Sequence, residues 1–391
     1  IVFGDWSSDV CSSDLIESQQ RERQALMRAG RARSVARLLP GVRRLAAAMM
    51  RDAARGALYA ARAALRPDTA PALAGAMLFC VFFIGSDPMA GQAAPYSSAL
   101  YAAGGELIGA SVAEDGQWRL ASSGPVPQRF VTALRLFEDG RFMGHAGFDT
   151  LAVARAAWSN ARAGRVVSGA STLTMQLARM ARGPAPRTWA SKLLELWIAV
   201  RLELGHTKAG IAAMHAAAAP FGGNVVGLEA AAFRWFGRPP DSLTWAEAAA
   251  LATLPNSPSL VHPGRSRDEL RRRRDALLKR LLALGHLDLD EYGAAIAEGL
   301  PEVPVPMPDG VPWLMAAAGP GRTVTTLDNA LQERAGAIAV RHARRLESLG
   351  IGSLAVVVVR VADGSIAAYI GNVPSPLSGG GAGSRNWVDC A

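Results

Sequence analysis

LFEDGRFMGHAGFD, residues 136–149, is the stretch that brings the most chemically active side chains close together in this chain. Glu138, Asp139, His145 and Asp149 stand there among phenylalanines and glycines. A carboxylate beside apolar surface can have a raised pKa and act as a general base. The same pattern also fits a helix end capped by acids, with His145 as a core histidine. Taken alone, the segment favours this structural interpretation.

A second stretch, GRVVSGASTLTMQLARM at 164–180, has the pattern of a polar loop followed by a helix. The spacing of Thr172, Gln176 and Arg179 predicts that these side chains lie near one helix face. Hydroxyls and backbone N–H groups at a helix N-terminus suit an anionic oxygen such as that of a phosphate. The segment is not a Walker loop, because no Gly-Lys-Ser or Gly-Lys-Thr follows. An ordinary capped helix is the alternative interpretation.

A third stretch, RTWASKLLELWIAVRLE at 187–203, also has a helical pattern. Lys192 and Glu195 share a helix face, because residues three apart are neighbours on a helix surface. A surface ion pair is the usual meaning of this spacing. The third stretch by itself therefore does not indicate chemistry.

Together the three stretches closely resemble glycosyltransferase family 51, the polymerase domain of class A penicillin-binding proteins. The family's motifs EDxxFxxHxG and G(G/A)STxTxQL are complete here, and RKxxExxxAxxLE is matched except where Ser191 replaces an arginine. The matching residues are Glu138, Asp139, Phe142, His145, Gly147, Gly169, Ala170, Ser171, Thr172, Thr174, Gln176, Leu177, Lys192, Glu195, Ala199, Leu202 and Glu203. The order and spacing of the motifs agree over roughly residues 97–380.

Later segments extend the resemblance. PFGGN at 220–224 and AEAAALATLPNSPS at 246–259 match further motifs of the family. WRL at 118–120, together with RWFG at 234–237, points to the 1C type of penicillin-binding protein.

The fourth motif of the family departs from its usual form in this sequence. The family has a glutamate followed by Tyr-Leu-Asn, whereas this chain has Gly210 and then His215, Ala216 and Ala217. The departure concerns the activity of the domain and leaves the expected fold unchanged.

The resemblance implies a mainly α, lysozyme-like domain that polymerises lipid II into β-1,4 glycan strands, inverting the anomeric carbon and releasing undecaprenyl pyrophosphate. The resemblance also implies that Glu138 is the general base that takes the proton of the 4-hydroxyl of the acceptor, the GlcNAc of lipid II. Lys192 and Arg179 are the cationic candidates at the leaving group, and Glu195 would orient them or hold a divalent ion, Mg²⁺ or Mn²⁺. The other residues expected to bind substrate are Asp139, Phe142, His145, Gly169, Ser171, Thr172 and Gln176.

The partners that the resemblance implies are lipid II, the growing glycan strand and the inner membrane, and nucleic acid is not among them. Two alternatives stay open. The departures in the fourth motif fit a scaffold that binds lipid II with weak or no catalysis. The related lysozyme-like fold fits an enzyme that cleaves peptidoglycan, which also uses a glutamate.

The N-terminal part predicts a membrane anchor. Residues 1–26 are interpreted as a non-native leader, and the arginine-rich residues 27–69 as a basic cytoplasmic segment. The uncharged apolar run that follows predicts a transmembrane signal anchor at 70–86, and by the positive-inside rule the rest is exported. A cleaved signal is the rival, because MAGQAA at 89–94 offers small residues to a peptidase. The expected location is the bacterial inner membrane, single-pass, with the catalytic domain on the periplasmic side.

The domain organisation follows from shifts in composition along the 391 residues, of which 50% are hydrophobic and 19% charged. We expect the glycosyltransferase domain at 97–300, a proline-rich linker at 301–322, and the truncated start of an α/β penicillin-binding transpeptidase domain at 323–391. A helix pattern at 328–350, with Asp328 as its expected N-cap, supports this α/β start. Two strands around an Asp-Gly turn support it as well. The chain has no Ser-x-x-Lys and no Lys-Thr-Gly, so transpeptidase activity is not expected from it.

Overall fold

The computed structural model describes residues 94–374, apart from 123, 166–168, 184, 187, 256–262 and 264–265, together with residues 75, 77 and 78. Several predicted segments lie outside the described residues. They are the predicted leader, the predicted basic segment, nearly all of the predicted anchor and the last residues of the predicted transpeptidase start. Within the described part, no helix is both long and apolar enough to cross a membrane. Contacts divide the chain into two units, residues 1–85 and 86–391, and the sheet, the helices and the site all lie in the second unit.

A small sheet joins the beginning and the later part of this unit. Its central strand β1 pairs antiparallel with β2 and parallel with β3, so the strand order is β2-β1-β3. The strands are β1 Ser98–Tyr101, β2 Leu107–Ala110 and β3 Gly321–Val324. β3 begins inside the segment predicted to be a linker, at the residue that pairs with Ser98. The end of that segment is therefore part of a sheet.

Helices make up the chain between β2 and β3, as the alanine- and leucine-rich pattern predicts. They are α1 Gln128–Glu138, α2 Thr150–Ala163, α3 Leu173–Arg182, α4 Trp189–Gly205, α5 Lys208–Ala218, α6 Leu228–Phe236, α7 Trp245–Ala252, α8 Arg267–Ala283 and α9 Leu289–Ala297. Their main core includes the buried side chains Leu134, Leu177, Ile211, Phe221 and Leu251. Burial of such apolar side chains is the main force that holds the helices together.

Capping residues mark the starts of many of these helices. A threonine or aspartate precedes the helix, and its side-chain oxygen accepts a hydrogen bond from the backbone N–H of the third helical residue. These capping residues are Asp149 before α2, Thr172 before α3, Thr188 before α4, Thr207 before α5, Thr244 before α7 and Asp288 before α9. Each cap satisfies an N–H group that the helix itself leaves unpaired.

The part of the chain after the helical body combines helix and strand. The short helix α10, Pro312–Met315, precedes β3, and then α11, Asn329–Glu347, begins at the predicted cap Asp328. The two predicted strands form an antiparallel hairpin, β4 Ser353–Val359 and β5 Ile366–Pro374, with α11 packed against β5. The element types expected here are confirmed, and their assignment to a transpeptidase domain stays a prediction.

Candidate active site

Helix α3 connects the two carboxylates that the sequence singled out. Its buried face, which includes Leu177 and Ala178, packs into the main core. The opposite face carries Gln176 and Arg179, which are three residues apart. Gln176 contacts the side chain of Glu138, and Arg179 contacts that of Glu195. Gln176 and Arg179 therefore share a face of α3 as predicted, whereas Thr172 is the buried cap before the helix. This face joins two separate elements, the end of α1 and the middle of α4.

Glu138 is the last residue of α1, and its carboxylate is held by one hydrogen bond. Gln176 Nε2 donates to Glu138 Oε2 at 2.8 Å. The other oxygen, Oε1, is buried and has no hydrogen-bond partner among the described residues. Burial raises the pKa of the Glu138 carboxyl above its ordinary value, and the neighbouring Asp139 charge acts in the same direction. A raised pKa and an oxygen without a hydrogen-bond partner fit the general base that the sequence predicts.

Asp139 and His145 pair with each other behind Glu138. His145 Nε2 lies 2.9 Å from Asp139 Oδ2, and the same oxygen accepts from the backbone N–H of Leu173 at 3.1 Å. Leu173 is the first residue of α3, so Asp139 ties the end of α1 to the start of α3. Both side chains are buried by their protein contacts. The two side chains therefore hold the first motif together, and their predicted contact with substrate stays a prediction.

Phe142 is also enclosed. Its ring is 1% exposed, and Lys208 Nζ lies 4.4 Å from the ring centroid. The same ammonium group donates to the backbone oxygen of His145 at 2.6 Å and to Glu203 Oε1 at 2.8 Å. Thr174 Oγ1 donates to that carboxylate oxygen at 2.6 Å. These contacts link the first motif to α3, α4 and α5 and hold the loop after α1 in place.

Gly147 shows why the first motif ends in glycine. Its φ of +91° lies in the region that favours glycine, and a Cβ there would come within 2.9 Å of the backbone of Ala199 in α4. Its carbonyl accepts from Thr172 Oγ1 at 2.6 Å. The hydroxyl of Thr172 in turn caps α3 by accepting from the N–H of Met175. The loop can reach this position against α4 only without a side chain at residue 147.

Glu195 lies at the centre of a group of cations. It is only 5% exposed, so it is not the surface ion-pair partner of Lys192 that the spacing alone also fitted. Lys192 Nζ donates to its Oε2 at 3.0 Å, and Arg179 Nε donates to its Oε1 at 3.2 Å. A third cation, Arg182, lies 3.6 Å from Oε1. Three positive charges around one negative charge leave this group with an excess of positive charge.

The cation group lines a cleft of about 760 Å³. Arg179 and Lys192 are each partly exposed toward solvent, so the positive charge is accessible. Lys192 Nζ also donates to Ser171 Oγ at 2.9 Å, which connects the cleft to the loop before α3. Gly169 lies exposed in that loop, with open space where a side chain would stand. Such an arrangement suits an anion of the pyrophosphate type.

The residues around Glu195 do not fit a divalent metal ion. Both of its carboxylate oxygens already accept hydrogen bonds from cations, and a metal would be repelled by the same cations. Within the described residues, no group of three histidine, cysteine, aspartate or glutamate side chains could hold a metal. The geometry around Glu195 therefore does not support the Mg²⁺ or Mn²⁺ site that the resemblance allows.

Two residues at the site were missed in the sequence. Arg182 is three positions after Arg179, so the helical spacing on α3 could have indicated it. Its Nη1 also donates to the backbone oxygen of Ser191, the position where the family motif has arginine. His215 was noted only as a departure, yet its Nε2 lies 3.1 Å from Gln176 Oε1. No local pattern predicts that contact, because the two residues are 39 positions apart.

Comparisons with known proteins identify the family of the chain. The family model described as Transglycosylase matches residues 105–282. A putative transglycosylase of Cupriavidus necator is 36% identical over 177 residues, which cover 45% of this chain and 76% of that protein. The chain belongs to the transglycosylase family. The expected resemblance to the glycosyltransferase domain of class A penicillin-binding proteins is thereby confirmed.

A longer relative also matches this chain. Penicillin-binding protein 1C of Escherichia coli is 35% identical over 264 residues, which cover 66% of this chain and 34% of the relative. The chain thus spans about a third of the length of that protein. A crystal structure of penicillin-binding protein 1A from Haemophilus influenzae matches 63% of this chain and 28% of its own, with 20% identity and a TM-score of 0.29.

Proposed function

We propose that this transglycosylase polymerises lipid II into β-1,4 glycan strands. The observation that carries the proposal is the pair of groups on one face of α3. At one end, Gln176 holds the buried carboxylate of Glu138 and leaves one oxygen free. At the other end, Arg179 belongs to a cation group around Glu195 that lines an open cleft. A base and an anion site on one helix face suit glycosyl transfer from a pyrophosphate donor.

On the acceptor side, Glu138 Oε1 takes the proton of the 4-hydroxyl of the terminal GlcNAc of lipid II. The oxygen of the 4-hydroxyl then forms a bond to the anomeric carbon of the growing strand, which is the donor. The bond from that carbon to undecaprenyl pyrophosphate breaks on the opposite face, so the α-linked donor becomes a β-linked product. A positioned carboxylate contributes roughly 10²–10⁴-fold to such a step.

On the donor side, the cations of the cleft receive the charge that develops on the departing pyrophosphate. Lys192 and Arg179 are the exposed members of the group, and Arg182 lies deeper. Glu195 holds all three in one place, which is the orienting role expected of it. Preformed positive charge lowers the barrier, because the site need not reorganise as the leaving group becomes an anion.

We also propose that the catalytic unit rests on the membrane that contains its lipid substrates. Trp158 on α2 is 72% exposed and Trp189 at the start of α4 is 88% exposed. Leu151 and Leu193, each one or two helical turns from these tryptophans, are exposed as well. Tryptophan is enriched at membrane interfaces, where its amphipathic ring sits at the level of the lipid headgroups. This supports the predicted location at the bacterial inner membrane.

The experiment is polymerisation of purified lipid II by the full chain in detergent, with product length read on a gel. Glu138→Gln keeps the shape of the side chain and removes the proton acceptor, so turnover should fall by about 10²-fold or more while lipid II binding persists. Glu114→Gln, at an exposed carboxylate, is the matched control and should polymerise at the parent rate. A folded Glu138→Gln protein with the parent rate would contradict the assignment of the base.

The same preparation separates the two alternatives. An enzyme that cleaves peptidoglycan would release fragments from preformed glycan, whereas the proposed polymerase leaves such glycan intact. A scaffold would bind lipid II without producing any strand, in the parent protein as well as in Glu138→Gln.

A further inference from the structure

His215 is a buried histidine that touches the predicted catalytic machinery. It lies on α5 and is 0% exposed. Its Nε2 atom is 3.1 Å from Gln176 Oε1, and Nδ1 has no hydrogen-bond partner among the described residues. The Gln176 amide therefore lies between two groups, with His215 on its oxygen and Glu138 on its nitrogen.

The direction of these hydrogen bonds follows from the chemistry of the three groups. A base must be ionised before it takes a proton, and an ionised carboxylate accepts hydrogen bonds only. The amide must then turn its NH₂ group toward Glu138, which leaves its oxygen toward His215. An amide oxygen also accepts only, so the imidazole must donate from Nε2. With the amide turned the other way, two acceptors would face each other at Glu138.

We infer that His215 is a positioning residue for the transfer reaction: its Nε2–H fixes the amide of Gln176, which in turn holds Glu138 Oε2 and keeps Oε1 free for the acceptor hydroxyl. The inference rests on the proposed function of Glu138. It also gives a role to one residue of the fourth motif, because His215 stands where the family has tyrosine.

The environment of His215 favours a neutral ring, in which only one of the two nitrogens carries a proton. Burial lowers the pKa of the imidazole to about 4, so the ring is uncharged at neutral pH. A neutral imidazole carries one proton, and its two nitrogens are distinct. Of the two, only Nε2 has an acceptor within reach among the described residues. The proton is therefore expected on Nε2.

The test compares two substitutions at residue 215 in the lipid II polymerisation assay. His215→Leu removes the donor, and kcat should fall by about tenfold with KM little changed, the effect of one lost hydrogen bond of typical strength. His215→Gln keeps an N–H donor and should stay within about threefold of the parent. Ile211→Val, a buried change on the same helix, is the control for loss of packing alone. Equal kcat in the Leu variant and the parent would overturn the inference.

A double-mutant cycle separates positioning from a general structural role. If His215 acts through Glu138, His215→Leu should have little further effect on the residual turnover of Glu138→Gln. An undiminished tenfold loss in that background would show that the histidine acts by another route. Inactivity of the parent chain would instead contradict the proposed function itself, so the two failures are distinguishable.

A measurement without turnover tests the same point in the parent protein. In a ¹⁵N-histidine-labelled full chain at pH 7, NMR should show residue 215 as the neutral ring protonated at Nε2. The His215→Gln spectrum identifies the signal among the six histidines of the chain. A ring protonated at Nδ1 could not donate to Gln176 and would overturn the inference.

Discussion

At the scale of single residues, the first motif combines one reactive group with several supporting ones. Glu138 retains a free buried oxygen, whereas Asp139, Phe142 and His145 are enclosed by contacts with the protein. The sequence could predict that these residue types belong together. It could not tell which of them face the substrate, because that depends on contacts with α3 and α5, which lie far away in the chain.

The burial of Glu138 has a cost for stability that the neutral variant should remove. Because folding raises the pKa of this carboxyl, the native state favours its protonated form. The contribution of this carboxyl to the free energy of unfolding is fully present below its pKa in the unfolded chain. It is lost as the pH rises through its pKa in the folded protein. Glu138→Gln is neutral throughout, so its melting temperature should exceed that of the parent at pH 7, and the gain should shrink toward pH 4.

Glu114→Gln is again the control. Its melting temperature should differ little from that of the parent at pH 7 and at pH 4, because the Glu114 carboxylate is exposed. A Glu138→Gln protein that melts below the parent at pH 7 would mean that ionised Glu138 stabilises the fold. Stability and turnover should thus move in opposite directions in this variant, as is common where a site needs a strained or buried charge.

At the scale of the elements, a capping residue made the start of one helix predictable. Asp328 begins α11 as expected, and its carboxylate accepts from the N–H of Leu331 at 2.9 Å. The hairpin of β4 and β5 follows its Asp-Gly turn in the same way. The strand β3 was not predicted, because its partner β1 lies more than 200 residues earlier and no local signal marks the pairing.

The approach of the first-motif loop to α4 predicts a specific sensitivity at Gly147. Gly147→Ala places a Cβ within 2.9 Å of the Ala199 backbone and also strains a positive φ. Gly105 has the same φ of +91° with nothing within 4 Å, so Gly105→Ala measures the strain alone. We expect Gly105→Ala to cost about 1–2 kcal/mol and Gly147→Ala at least about 1 kcal/mol more.

Chemical denaturation of both variants provides the comparison. Equal free energies of unfolding would show that the loop relaxes away from α4 without cost. Because the Gly147 carbonyl also holds Thr172, the cap of α3, the Gly147 variant should lose polymerisation activity as well.

At the scale of the whole molecule, the sequence predicts an anchor, a catalytic unit and the start of a further domain, in that order along the chain. The order of motifs made the transglycosylase region identifiable. The anchor at 70–86 lies almost entirely outside the described residues, so its topology stays a prediction. The exposed tryptophans of α2 and α4 offer a second way to relate the unit to a membrane, independent of that anchor.

The membrane proposal predicts which tryptophans lie in the lipid. We expect brominated phospholipids to quench part of the fluorescence of the full chain in liposomes, because bromine quenches tryptophan only at close range. Trp158→Phe and Trp189→Phe should each remove part of the quenchable signal, since both rings are exposed. Trp235→Phe is the control, because that ring is 2% exposed within the core. None of the nine tryptophans lies within the predicted anchor, so the anchor itself contributes no signal. Quenching that survives both exposed substitutions unchanged would place these helix faces away from the bilayer.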